Sequence, residues 1–231
     1  MIKTNLLPMQ QIEECYRVLR KARSNVVWEI LRQSEQFMEW NHYPKGDVYD
    51  AETFSQYFYH THAAATSTRD KEHGHFHLVL RKNGIPPSCK PVKLDTSKRP
   101  AGSLQDEICH IIGIAMDKQG YPIGLFTTNR WVCGETWYKA SDVIKMLDVF
   151  AIDHAYPSWP LNIWLTNMVK HYKPQIIELI KQRDKTIKAW QKKYLDRDVY
   201  EDRELEVTSY LAITEHIIPA STPVIPAQPE I

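Results

Sequence analysis

The sequence has no long apolar run. Nothing in it approaches the roughly 20 residues that cross a bilayer as a helix, so no membrane-spanning helix is expected. The first residues, MIKTNLLPMQQIEECYR, hold no apolar core of the signal-peptide kind, and a secretory signal is not expected. Closely spaced cysteines are missing too. Cys15, Cys89, Cys109 and Cys133 stand far apart, which excludes CxxC-type zinc motifs and a small disulfide framework. Reduced thiols in a cytoplasmic protein are the expectation. Charge of one sign is also lacking, since 29 Lys and Arg face 28 Asp and Glu. A general phosphate-backbone binder carries a basic surplus, so the balance argues against nucleic acid as the partner. No internal repeat is visible.

What remains is ordinary for a globular chain: 43% hydrophobic and 25% charged residues. Ile12, Cys15, Tyr16 and Leu19 recur at helical spacing, so residues 8–22 read as a helix. A second should run from Val26 to Phe37 with Asn25 as its cap. Together they place N-terminal helices within residues 8–40. WNHYPKGDVYD, residues 40–50, reads as a loop because of Pro44, Gly46 and its aspartates. SQYFYHTH (55–62) and HGHFHLVLR (73–81) read as antiparallel strands joined by a polar connection. Residues 82–102, with four prolines, read as an irregular excursion of lid type. HIIGIAMD (110–117) and YPIGLFTTN (121–129) make a hairpin whose turn holds Asp117 and Gly120.

Beyond residue 140 the period becomes helical. Val143, Met146, Leu147 and Phe150 mark one helix; Leu161, Trp164, Leu165 and Met168 mark another, started by Ser158 and Pro160. Pro174 kinks that helix or starts a new one over 175–194. The many Lys and Arg there read as a solvated face. RELEVTSYLAI (203–213) reads as a returning short strand, and the tail 219–231, with four prolines, as disordered. Helices, then strands (55–130), then helices (141–195) is the order of an α+β fold. The expectation is one domain over residues 1–218, with an antiparallel sheet of at least four strands flanked by N-terminal and C-terminal helices.

Ten histidines are present, and five of them fall between residues 60 and 77. In a strand, residues i and i+2 share a face about 6–7 Å apart. His73, His75 and His77 therefore share a face if the strand reaches back to 73, and so do His60 and His62. His73 and His77 would stand about 13 Å apart, too far for one ion whose bonds to nitrogen are about 2 Å. The preferred metal ligands are His75 and His77 with His60 or His62 from the neighbouring strand. Such a set leaves a coordination position open for water or substrate. Glu72, Glu135 and Asp47 are candidate carboxylate ligands or general bases, and His110 is a further contributor. Zinc, iron, manganese and nickel all suit such a shell. The alternative is a hydrogen-bonded imidazole network in a ligand cleft without metal.

NRWVCGETW (129–137) is the second notable stretch. Arg130 is placed to clamp an anionic substrate through its fork, or else sits in a structural ion pair. Trp131 and Trp137 would wall the pocket or pack on the core, and Cys133 reads as a buried thiol. Asp47 and Tyr49, in the loop before the first strand, would lie over the site and touch substrate. Catalytic roles are expected of Glu135, Arg130 and Glu72. The expected partner is a small-molecule ligand.

The strings HYPKGDVYD, QYFYHTH, EHGHFH, LFTTNRWVCGETW and RELEVTSYL together resemble a family of uncharacterised bacterial proteins defined as a domain of unknown function. The resemblance spans most of the chain and implies that these motifs act as one unit. It implies no reaction. EHGHFHLVL alone resembles the histidine–hydrophobic–histidine strand of the HUH endonucleases. That resemblance implies a metal on His75 and His77 and a helix tyrosine, Tyr138 or Tyr172, attacking a DNA phosphate. Three functions therefore compete: a metal-dependent enzyme of hydrolase or oxygenase type, a non-enzymatic ligand-binding module, and single-strand nicking.

Overall fold

The computed structural model describes residues 6–34, 36–62, 71–94 and 107–214. The expected disordered tail, most of the polar connection after His62, and residues 95–102 of the proline-rich excursion lie outside them. Two N-terminal helices, α1 (Pro8–Lys21) and α2 (Val26–Leu31), precede five strands: β1 (Tyr43–Tyr49), β2 (Ser55–His60), β3 (Gly74–Arg81), β4 (Ile108–Met116) and β5 (Pro122–Thr128). Then come α3 (Arg130–Cys133), α4 (Ala140–Met146), α5 (Trp159–His171), α6 (Lys173–Lys193) and a final strand, β6 (Val207–Ala212). The strands form one sheet in the order β1-β2-β3-β4-β5-β6, every pair antiparallel. This is the α+β architecture expected, with two strands beyond the minimum of four.

The local signals explain the boundaries. Asn25 caps α2 by accepting the Trp28 N–H at 2.8 Å. The helix stops at Leu31, short of the expected Phe37. Pro174 opens α6 rather than kinking α5, since a proline in the first turn gives up no helical hydrogen bond. Gly120 takes φ +81 in the β4–β5 turn, where Asp117 Oδ1 accepts the N–H of Gln119 and Tyr121. Two elements differ from the sequence reading: the short helix α3, inside a stretch read as a connection, and β1, read as a loop. Pro44, Gly46 and Asp47 do not prevent a strand because β1 lies at the sheet's edge, where a missing donor is tolerated. Gly46 and Asp47 both take positive φ, and the pairing shifts register between Tyr43 and Val48. Tyr43 and Val48 are buried opposite Tyr59 and Tyr57, which holds the irregular strand down.

The sheet has two unlike faces. One carries Tyr57, Tyr59, Phe76, Leu78, Leu80, Cys109, Ile112, Ile114 and Leu125 into the main core with the apolar faces of the helices. Trp164 of α5 is fully buried there, its ring 6.1 Å from Tyr16 and 6.2 Å from Phe76. Tyr57 donates its hydroxyl proton to Asn162 Oδ1 at 2.6 Å, so its polar end is satisfied within the core.

The other face follows from the alternation of side chains along each strand. His60 and Phe58 stand opposite His75 and His77. Ala115 and Gly113 follow on β4, then Gly124 and Phe126 on β5, and Tyr210 on β6. Small residues beside large rings let the rings lie down. A Cβ on Gly113 would come within 2.3 Å of the Phe126 ring, and one on Gly124 within 2.3 Å of Tyr210 Oη.

A bulge in β4 decides which side His110 joins. Counting by twos from Met116 through Ile114 and Ile112 would put His110 in the core. The β3–β4 register shifts between Leu78 and Val79, so Leu78 pairs with Ile112 while Val79 pairs with His110. The extra residue, Ile111, reverses the alternation. His110 turns to the histidine face, and Cys109 to the core opposite Leu80.

Candidate metal centre

Register alone brings His60 and His75 together, because they are direct cross-strand partners. Their Nε2 atoms lie 2.6 Å apart. His62, just past the end of β2, turns its ring to 5.1 Å from His75 and 5.4 Å from His60. One ligand atom from each of His60, His62 and His75 lies within 4.8 Å of the others. Glu72 Oε1 holds the far nitrogen of His75, Nδ1, at 2.5 Å, and both side chains are nearly inaccessible. A carboxylate accepts from a protonated Nδ1, which leaves the Nε2 lone pair facing His60 and His62.

Beyond it stands a second group. His77 Nδ1 lies 3.0 Å from His110 Nε2 and 3.7 Å from Cys133 Sγ. One ligand atom from each of His77, His110 and Cys133 also lies within 4.8 Å of the others. Burial pushes the His77 imidazole well below its ordinary range, helped by the neighbouring histidines, and pushes His110 down to about 3. Both are therefore neutral near pH 7, with a lone pair to offer. Burial raises the Cys133 thiol, and the Glu135 carboxylate raises it further. The Phe126 ring stands edge-on to both His75 and His77, 5.3 and 5.7 Å away.

The rim is aromatic and polar. Trp40, largely exposed, stacks on His62 with centroids 4.6 Å apart, and His42 stacks on Phe58 at 3.7 Å. Asp47 joins His42 Nδ1 at 3.1 Å to the Gln56 amide at 2.5 Å.

The expected ligands thus divide. His60, His62 and His75 form one group, and His77 belongs to the other with His110 and Cys133. His73 leaves the face, because β3 begins at Gly74. Its Nδ1 meets the Tyr59 hydroxyl at 2.8 Å and its ring stacks on Phe37. Glu72 orients His75. Glu135 lies behind the site: its Oε2 accepts the backbone N–H of His110 at 2.8 Å. Burial lifts its carboxyl to about 7 against the pull of Arg183 and Arg130.

The substrate-side residues are dispersed. Arg130 is buried and forms an ion pair with Glu201. Trp131 donates its indole N–H to the Leu205 carbonyl at 3.0 Å. Trp137 packs in a separate small core with Ile187, Val199 and Leu205, under the Arg183 guanidinium 4.0 Å from its ring. Asp47 does reach the rim, while Tyr49 lies beside Phe54 and Arg81. Tyr138 and Tyr172 both sit in the helix-side core. Neither is placed to be the nucleophile that the HUH resemblance implies.

The fold and site define a class: an α+β protein whose antiparallel sheet is helix-covered on one face and carries clustered histidines, with a cysteine, on the other. The chain belongs to the family described as a domain of unknown function, DUF6969, which matches residues 7–213. No curated protein and no solved structure shows significant similarity to it. No helix among the described residues is long and apolar enough to cross a membrane.

Proposed function

We propose that this protein is a metal-dependent enzyme of hydrolase or oxygenase type, working from a divalent ion held by His60, His62 and His75. The observation that carries this is the convergence of one ligand nitrogen from each of the three imidazoles within 4.8 Å, with His75 oriented by Glu72. Three protein ligands leave a coordination position open, which a catalytic ion requires and a structural one lacks. Zinc in such a site generates hydroxide at neutral pH, while iron, manganese or nickel extend the range to oxygen chemistry. His60 is partly buried, and the His62 ring, its side chain 7% exposed, lies against the exposed Trp40, so a small-molecule substrate would approach past Trp40.

Metal analysis of protein purified without a histidine tag tests this. The expected result is a stoichiometric first-row metal that is lost in His75→Ala, with metal-dependent turnover on ester probes or oxygen uptake. Trace metal only, unchanged by His75→Ala, would overturn it.

One observation favours the second reading, a ligand-binding cleft without metal. His60 and His75 satisfy each other at 2.6 Å, closer than the roughly 3.3 Å between two nitrogens on a tetrahedral ion. In that case ligand affinity would be indifferent to chelators.

A further inference from the structure

We propose a second metal site on the same face, formed by His77, His110 and Cys133 and selective for a thiolate-binding ion of the zinc class. It stands whether or not the first site holds an ion, because it shares no ligand with it.

Distances carry the case. Bonds of about 2.05 Å to nitrogen and 2.3 Å to sulfur at tetrahedral angles put two nitrogens about 3.3 Å apart, and nitrogen and sulfur about 3.6 Å apart. His77 Nδ1 and His110 Nε2 are 3.0 Å apart, and Cys133 Sγ is 3.7 Å from His77 Nδ1. Both distances from His77 are thus within a few tenths of an ångström of those an ion would impose, and the His110 and Cys133 ligand atoms lie within 4.8 Å of each other.

Each ligand is also placed by a dedicated feature. His77 sits on a central strand, inaccessible to solvent. His110 faces this way only because of the bulge at Ile111. Its backbone is held by Glu135, and its Nδ1 lies 3.5 Å from Thr128 Oγ1, so Nε2 points at the site. Cys133 ends the four-residue helix α3, which is anchored on both flanks. Asn129 caps it and donates to the Val199 carbonyl, Trp131 bonds Tyr200 and Leu205, and Gly134 ends it in the left-handed conformation.

The donor set fixes the class of ion. A thiolate with two imidazoles favours zinc, cobalt(II) or copper over the oxygen-seeking magnesium, calcium and manganese. Three protein ligands leave one position for water or a small ligand. The two groups lie side by side: His75 feeds one and His77 the other, their rings 4.9 Å apart.

Cobalt(II) titration of the full chain, freed of metal by chelator, tests the site. Saturation should produce the intense near-ultraviolet band of sulfur-to-cobalt charge transfer. Cys133→Ser should abolish that band and lower the bound cobalt by one ion per chain, with thermal unfolding confirming a folded variant. His62→Ala should leave the band intact, even if it empties the first site. Cys89→Ser should also leave it intact. No band at saturation, or a band that survives Cys133→Ser, would overturn the proposal. A band in protein whose cobalt content is insensitive to His75→Ala would sustain it while removing the first site.

Discussion

Replacing Glu72 with glutamine should weaken metal binding at the first site without dismantling the fold. The Glu72 carboxylate meets His75 Nδ1 at 2.5 Å, and side-chain exposures of 7% and 2% leave little water to substitute for it. The amide in Glu72→Gln would keep the shape and an acceptor oxygen but lose the charge that raises imidazole basicity and fixes the ring. Loss of such a partner costs about 10–100-fold in metal affinity, or roughly 1.4–2.7 kcal/mol. Glu206 provides the internal comparison. Its carboxylate is 3.8 Å from His62 Nε2 and 31% exposed, a geometry worth less than about 1 kcal/mol. Competition with a chromophoric zinc chelator at fixed pH would read both variants. An unchanged affinity in Glu72→Gln, or an equal loss in Glu206→Gln, would refute the orienting role.

Other substitutions probe the scaffold. Gly113→Ala drives a methyl into the Phe126 ring, 2.3 Å from its Cζ, and should cost about 1–3 kcal/mol as overpacking, seen in the urea midpoint. Asn25→Ala removes the α2 cap to Trp28 and should cost about 1 kcal/mol by the same assay. Glu135 gives a pH signature. Its folded pKa of about 7 lies above the ordinary 4.5, so between those values the folded state binds the extra proton and stability falls as pH rises. Relative to wild type, Glu135→Gln should gain about 3 kcal/mol between pH 4 and pH 8. Parallel pH profiles for the two proteins would contradict it.

Most of the fold was legible because its signals were local. Asn25, Gly120 and the Ser158–Pro160 start each act within a few residues of the element they mark. Edge strand β1 was not legible, because Pro44, Gly46 and Asp47 read as a loop until Tyr43 and Val48 find Tyr59 and Tyr57 across the sheet. The histidine face was legible from the alternation of His75 and His77 and the nearby His60 and His62. Its division into two groups was not. Sequence parity puts His110 with Ile112 and Ile114, and only pairing with β3 reveals that Ile111 interrupts the count. Arg130 was ambiguous for a similar reason: its partner, Glu201, lies far along the chain on a segment without a distinctive pattern.

The position of β6 bears on how the protein comes together. The first five strands pair in chain order, each with its neighbour, so the ends of each closure lie near one another in the chain. Val207 must instead find Thr128 across the whole helical segment. Long-range pairing of that kind closes slowly. His60, His62 and His75 need only β2, β3 and the residues between. Cys133 rides on a helix held by Val199, Tyr200, Glu201 and Leu205, just ahead of β6. Pulsed hydrogen exchange during refolding should therefore protect β2 and β3 before residues 130–133, and simultaneous protection would contradict that order. A ribosome-bound chain would then assemble its three-histidine cluster first and acquire its thiol-bearing cluster only as the C-terminal strand docks.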